Sequence, residues 1–368
     1  MKILMDENIP LAQSLFADLG QVTLMPGRDI ESHHCQPVDI LLVRSITKVN
    51  ADLLRDSQVK FVGTCTIGTD HLDTDFLHRA GIHWASAPGC NANAVIQYVL
   101  SAMSQLEPDW LNKTVGIIGC GNIGSRLYQR LRALGLNCLC YDPFLSAADN
   151  LNLVDFKDVL QADIISCHTP LTQSGPFPTY HMFTELELAA IKPGAVLINS
   201  GRGEVIKTAC LRECIDKNQL RVALDVWENE PAIDIELVKK VRLATPHIAG
   251  YSLEGKQRGS WMIYCALCEF LAIPIDQQKR DLLNHKQSAL ASTGAVKFTS
   301  LSELLLSCYD IVKDDARLRG LIETADDIAA GFDMLRKHYP VRREYSHFTT
   351  ETSSIDRGLA RQLALLQS

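Results

Sequence analysis

Three residues, Arg202, Glu230 and His247, are of the types needed to oxidise a hydroxy acid, and each follows closely on a short apolar run. The guanidinium of Arg202 is permanently charged and presents a planar fork matched to a carboxylate. His247 can exchange a proton near neutral pH, and Glu230 is an acid suited to orient its ring and favour the charged form. Beside a nicotinamide, Arg202 would bind the carboxylate of a 2-hydroxy acid, His247 would take the hydroxyl proton, and C2 would release hydride. Proximity supplies much of the acceleration in such a site. Each residue also has a plainer reading: a surface ion pair for Arg202, a turn residue after Pro246 for His247, a loop acid before Pro231 for Glu230. Geometry, not residue type, decides between the two.

The stretch Lys113 to Asp142 would hold the cofactor. An apolar run, Val115 to Ile118, enters a turn with Gly119, Gly121 and Gly124 in G-x-G-x-x-G spacing, Asn122 and Ile123 lying between them. Ile123, Leu127, Leu131 and Leu134 then keep helical spacing until Gly135 stops it. A second apolar run, Cys138 to Tyr141, ends in Asp142, eighteen residues beyond Gly124. Each part meets a requirement of dinucleotide binding: Gly119 the tight turn, Gly121 the close approach of backbone to pyrophosphate, Gly124 the packing of helix on strand. The helix start offers free N–H groups and the positive end of its dipole to the phosphates. Asp142 would accept bonds from both ribose hydroxyls and repel a 2′-phosphate, so NAD is expected rather than NADP. An ordinary glycine turn is the alternative, but strand, turn, helix, strand and acid in this order form a specific combination.

The totals exclude several classes. A chain of 368 residues exceeds one ordinary core, and 46% hydrophobic with 21% charged residues is a globular composition. A formal charge of -7 argues against nucleic acid or an anionic membrane surface as partner. The longest apolar stretch, Trp261 to Leu271, contains Glu269 and is too short to span a bilayer. Twelve cysteines without a secretory signal suggest reduced thiols in a cytoplasmic protein. The pairs Cys265/Cys268 and Cys210/Cys214 fall in helix-periodic apolar stretches without a second ligand pair, so core packing is expected and no metal. His33-His34-Cys35 reads as a loop.

Along the chain, short apolar runs alternate with helical spacing, which implies parallel sheets with ligand groups at the strand C-terminal ends. Strands are expected at 2–5, 22–25, 39–43 and 59–62, with helices at 9–19 and from 50. Arg44-Ser45 and Thr64 to Thr66 occupy such strand ends. After Pro88, an apolar helix from Val95 to Leu106 leads into the glycine turn. Beyond Asp142, runs at 163–167, 195–199, 222–226 and 243–245 each end in polar residues: His168-Thr169, Ser200-Gly201-Arg202, Trp227 to Pro231, and Pro246 to Tyr251. Residues 252–275 read as one helix. From about 280 the pattern is mainly helical, over 301–312 and 316–335, with Asp314, Asp315, Asp326 and Asp327 on the outside and 338–345 extended.

The runs VGIIGCGNIG, LINSGRG, ALDVWENEP and TPHIAGYS, in that order, resemble the D-isomer-specific 2-hydroxyacid dehydrogenase family over residues 1 to 275. The resemblance implies that Arg202, Glu230 and His247 form the catalytic set, that Asp142 holds the adenosine ribose, and that Asp225 holds the nicotinamide carboxamide. The opening MKILMDENIP, the runs LLVRSITKVN and FVGTCTIGTDHLD, Tyr251 after HIAG and the tail HYPVRREY narrow it to a branch acting on a phosphorylated 2-hydroxy acid. That implies substrate contacts at Ser45, Thr66 and Tyr251 and NAD contacts at Thr169, Ser200, Gly201 and Gly250. A second anion needs a second cation, for which Arg44 is expected, with Arg342 or Arg343 as weaker candidates. The implied architecture is α/β: a Rossmann NAD-binding domain (90–255) inserted in a flavodoxin-like substrate domain (1–89 and 256–279), plus a C-terminal α+β domain (280–368) that forms a homodimer. Two alternatives stay open: the same chemistry on another acid such as 3-phosphoglycerate, and a non-catalytic NAD-sensing scaffold.

Overall fold

The computed structural model describes residues 1–283, 298–349 and 355–367. The chain forms two compact units, Met1–Asn91 with Ser252–Lys286 and Ala92–Tyr251 with Gln287–Ser368.

In the first unit, β1 (Lys2–Asp6), β2 (Gln21–Met25), β3 (Ile40–Val43), β4 (Phe61–Thr64) and β5 (His83–Ala85) make a parallel sheet in the order β2-β1-β3-β4-β5. This is the flavodoxin-like order. Alternation along the strands divides the side chains between two cores. Ile3, Met5, Ile40, Leu42 and Phe61 pack with Ile263, Tyr264, Leu267 and Cys268 of the helix Leu253–Phe270. Leu4, Leu41, Val43 and Val62 face the other way, onto Val49, Leu54, Leu72 and Leu77. Three local expectations change. The helix expected over 9–19 is confined to Ala12–Phe16, and residues 51–56 are turns. His33-His34-Cys35 belongs to a single helical turn, Ser32–Cys35, anchored by buried Cys35.

The second unit carries β6 (Thr114–Ile118), β7 (Asn137–Tyr141), β8 (Ile164–Cys167), β9 (Val196–Asn199), β10 (Arg221–Leu224) and β11 (Leu243–Ala244). They form a parallel sheet in the order β11-β10-β9-β8-β6-β7. Chain direction across the sheet reverses at β6, whose neighbours are β7 and β8, and ligands bind at such a switch point, outside the strand C-terminal ends. The register keeps those ends level: Ile118 is opposite Tyr141 and Cys167, and Asn199 is opposite Cys167 and Leu224.

The tail packs into this unit rather than standing as a third one. Its helices Leu301–Cys308 and Arg357–Gln367 join the core formed by the helix Ala92–Leu106 and one sheet face. Leu318 and Phe332, from the helices Ile311–Thr324 and Ile328–Lys337, join the core on the other face. The tail also satisfies polar groups of the buried helix: Gln97 donates to the Arg343 carbonyl (3.0 Å) and Ser101 to the Tyr309 carbonyl (2.8 Å). Asp314, expected outside, is buried and accepts hydroxyl bonds from Tyr309 (2.8 Å) and Tyr339 (2.6 Å). Every regular element among the described tail residues is helical, and 339–344 is irregular with no strand beside it.

Candidate functional site

The glycine turn leaves β6 with Gly119 at φ 84, where a Cβ would stand 2.8 Å from the Thr169 nitrogen. A Cβ at Gly124 would stand 2.1 Å from the Gly119 carbonyl oxygen, so the helix Gly124–Ala133 closes directly on the turn. Gly121, with nothing within 4 Å of its Cβ position, faces open space, and Asn122 and Ile123 lead from it into the helix. Asp142, just past β7, accepts from the Cys120 N–H (2.9 Å) and the Phe144 N–H (3.1 Å), which fixes its carboxylate beside the turn. Thr169 Oγ1 is buried without a hydrogen-bond partner among the described residues. An open glycine backbone, a fixed acid and an unanswered hydroxyl fit a polar ligand lying across the switch point, as a dinucleotide would.

Between β8 and β9 stands His168, its Nε2 2.9 Å from Ser166 Oγ and its Nδ1 3.5 Å from Ser200 Oγ. Burial lowers this imidazole to about 3, so it is a neutral strut between strand ends. After β9, Asn199 clamps the turn that carries Arg202: its Oδ1 accepts from the Gly201 N–H (3.1 Å) and its Nδ2 donates to the Arg202 carbonyl (2.9 Å). A Cβ at Gly203 would lie 2.0 Å from the Trp227 carbonyl carbon, so the Arg202 turn rests on the backbone of the loop that carries Glu230. Gly203→Ala is expected to cost about 1–3 kcal/mol of stability, as overpacking does. Chemical denaturation reads this as a lower midpoint, and an unchanged midpoint would show that the two loops are not held together here.

Glu230 and His247 form a close pair, Oε2 to Nδ1 at 2.6 Å, while Glu230 Oε1 accepts from the Trp227 N–H at 2.8 Å. Burial opposes ionisation of Glu230, but His247, the Trp227 N–H and the charge of Arg336 outweigh it and hold the carboxyl below its ordinary range. An ionised Glu230 can only accept, so His247 Nδ1 carries a proton and Nε2 is left as the ring's basic atom. His247 sits at φ 55, a left-handed backbone that histidine adopts more readily than most residues. The turn around it is built on Asp225, which is fully buried. Its carboxylate accepts from Thr245 Oγ1 (2.6 Å) and from the N–H groups of Ile248 (2.8 Å) and Ala249 (2.8 Å). Burial pushes this carboxyl up, against the charge of His247 and the donated bonds. Asp225 thus shapes the loop that presents His247, Gly250 and Tyr251, a function its sequence position alone does not reveal. Arg342 donates from below to the carbonyls of Ala249 and Ala94.

The second unit thus brings Arg202, Glu230, His247, Asp225, Ser200, Gly201, Thr169, Gly250, Tyr251 and the glycine turn to one sheet edge. Arg44, Ser45 and Thr66 belong to the first unit, after β3 and β4. There Arg44 Nε donates to buried Asp6 (2.9 Å), and Thr66 Oγ1 bonds with Thr64 Oγ1 (2.8 Å). Among the described residues no group of three or more His, Cys, Asp or Glu could hold a metal, and no helix is long and apolar enough to cross a membrane. The Cys265/Cys268 and Cys210/Cys214 thiols are free and packed in or against the cores. Sequence reasoning passed over Asn199 and Arg336. A polar residue closing an apolar strand was the signal for Asn199, whereas Arg336 sits in a helical pattern that reads as surface.

Residues 99–249 match the model of the D-isomer specific 2-hydroxyacid dehydrogenase NAD binding domain, and residues 282–366 match a domain of unknown function. The erythronate-4-phosphate dehydrogenase of Teredinibacter turnerae is 50% identical over 358 residues, 96% of each chain. That of Cellvibrio japonicus is 46% identical over 361 residues, again 96% of each. The crystal structure of D-lactate dehydrogenase from Aquifex aeolicus, complexed with NAD and lactic acid, shares the fold with a TM-score of 0.63 at 23% identity, over 74% of this chain and 96% of that one. The chain belongs to the D-isomer specific 2-hydroxyacid dehydrogenase family, and its cofactor is NAD. Within that family, relatives of this similarity along nearly the whole length put it in the erythronate-4-phosphate dehydrogenase branch.

Proposed function

We propose that the protein oxidises D-erythronate 4-phosphate at C2 with NAD, giving (R)-3-hydroxy-2-oxo-4-phosphooxybutanoate on the route to pyridoxal 5′-phosphate. The Glu230–His247 pair at 2.6 Å, at the sheet edge that carries Arg202, supports the chemistry. The 50% identical relative supports the substrate.

Arg202 binds the substrate carboxylate with its planar fork and so presents C2 in one orientation. His247 Nε2 accepts the proton of the C2 hydroxyl as the alkoxide forms, and Glu230 stabilises the resulting imidazolium through Nδ1. Bound NAD supplies the hydride acceptor. Gly119, Gly121, Asn122, Ile123 and Gly124 would hold the pyrophosphate, Asp142 the ribose, and Thr169, Ser200, Gly201, Asp225 and Gly250 the nicotinamide half. Tyr251, Ser45 and Thr66 are further substrate contacts on the resemblance to the branch. The non-catalytic scaffold is disfavoured because Arg202, Glu230 and His247 are all present and the last two are paired.

NADH formation with D-erythronate 4-phosphate, 3-phosphoglycerate and unphosphorylated D-erythronate, repeated with an added 2-oxo acid if turnover stalls, tests the reading. Faster turnover of 3-phosphoglycerate, or none of D-erythronate 4-phosphate, would overturn it. Asp142→Asn keeps an oxygen for the Cys120 N–H while removing the charge. It is expected to weaken NAD binding about tenfold and to narrow the preference over NADP by at least as much. Titration of both cofactors checks this, and an unchanged ratio would remove Asp142 from the ribose site.

Assembly and location belong to the same proposal. Met334 and Val341 of the tail are exposed apolar residues that fit a homodimer contact, which sedimentation of the full chain reads directly. Twelve free cysteines fit a reducing cytoplasm, and fractionation of cells tests that.

A further inference from the structure

A substrate with a phosphate as well as a carboxylate needs a cation besides Arg202, and two sequence candidates are already engaged. Arg44 pairs with buried Asp6. Arg342 is buried, bonded to the Ala94 and Ala249 carbonyls and seated 4.4 Å from the Tyr309 ring centroid. Arg342 also keeps a buried Nε and Nη1 without a hydrogen-bond partner among the described residues, so what sets Arg336 apart is its place beside Tyr251, with which its guanidinium shares a side-chain hydrogen bond. Arg336 closes the helix Ile328–Lys337, which Phe332 anchors in the core, and its guanidinium carbon lies 6.0 Å from the ring centroid of Tyr251. Its side chain is only 17% exposed, and its one charged contact within ion-pair range among the described residues, Asp333, is at 3.9 Å, the outer edge of such a contact. Its Nε is buried without a hydrogen-bond partner among those residues.

A permanently charged fork held out of water with an unanswered donor is costly unless an acceptor arrives. We propose that Arg336, with Tyr251, is a substrate-binding residue of this site that takes the anionic group remote from C2, the phosphate in the reading above on which this inference rests. A phosphate offers a guanidinium two parallel acceptors, as the carboxylate does at Arg202, so the two anionic ends of the substrate call for two such forks. Tyr251 is the bridge: it lies four residues after His247 and its ring stands edge-on to Tyr339 at 5.8 Å, so the helix that carries Arg336 and the loop that carries the base meet at one aromatic contact. The charge of Arg336 also helps hold the Glu230 carboxyl down, which puts it within electrostatic reach of the acid–base pair. The tail segment that matches a domain of unknown function thereby acquires a task, reading the substrate beyond its 2-hydroxy acid end.

The test compares Arg336→Ala and Arg336→Lys with the parent protein, all full length. Steady-state rates are measured on D-erythronate 4-phosphate and on unphosphorylated D-erythronate, with inorganic phosphate as competing inhibitor and NADH binding followed by fluorescence. Arg336→Ala should lower kcat/KM for the phosphorylated acid roughly 100-fold, mostly through KM, leave the unphosphorylated acid within about threefold, and weaken phosphate inhibition about tenfold. Arg336→Lys should recover part of each loss, and unchanged NADH binding certifies the fold. Equal losses on both acids, or no loss at all, would overturn the proposal. Failure of the parent protein to oxidise D-erythronate 4-phosphate would instead strike the proposed function. In that event phosphate competition against whichever 2-hydroxy acid it does oxidise still decides the role of Arg336.

Discussion

His247→Asn should lower kcat for oxidation of the 2-hydroxy acid by about 10²–10⁴-fold while leaving NADH affinity within a factor of about two. Asparagine is the informative replacement because position 247 has φ 55, a backbone that asparagine tolerates and alanine does not. The main-chain bond from the residue 247 N–H to the Asp225 carbonyl (2.7 Å) and the bonds from Ile248 and Ala249 to the Asp225 carboxylate then survive. What disappears is the basic ring atom, so a loss confined to kcat isolates proton transfer from loop geometry. The parent enzyme's rate should rise with pH on its acid limb, since a base must start neutral, and that limb should vanish in the variant. An unaltered profile would show that another group takes the proton.

Glu230→Gln should be nearly as damaging, for a reason that lies in hydrogen-bond accounting. The Trp227 N–H, which donates to Glu230 Oε1 at 2.8 Å, needs an acceptor, so the amide oxygen must take that place. The amide NH₂ then faces His247 Nδ1 and donates to it. The neutral ring is forced to carry its proton on Nε2, the atom that has to accept one from substrate. A loss of roughly 10²–10⁴-fold in kcat is the scale for a wrong tautomer combined with an unsupported imidazolium. Glu230→Asp retains an acceptor and should recover much of the rate. If Gln and Asp behaved alike, Glu230 would serve only to fill space.

The strands around the site were legible because parallel strands buried on both faces read as continuous apolar runs, as Val115–Ile118 and Ile164–Cys167 do. β5 was not, since His83 and Trp84 are exposed on an edge strand of three residues. The single helix read over 316–335 is two helices. Ala325 is extended and Asp327 caps the second by accepting from the Ala330 N–H (2.9 Å), a local bond that outweighs apolar periodicity. Arg202, Glu230 and His247 could be named from type and position, but not their support. Asp314 reads as surface until Tyr339, distant in sequence, donates to it. Arg342 reads as a free cation until the Ala94 and Ala249 carbonyls receive it. Burial of a polar side chain is set by partners that no local window contains.

That last bond bears on how such a chain can be taken apart. Because Arg342 holds the carbonyl of Ala249, two residues past His247, the tail is part of the scaffolding of the acid–base loop and not a detachable accessory. Shortening the chain to the size of a D-lactate dehydrogenase would not yield a simpler working enzyme. It would take the Arg342 donor from the Ala249 carbonyl and leave the histidine on a loop stripped of one support, so modularity in the family's architecture does not translate into modularity of its parts.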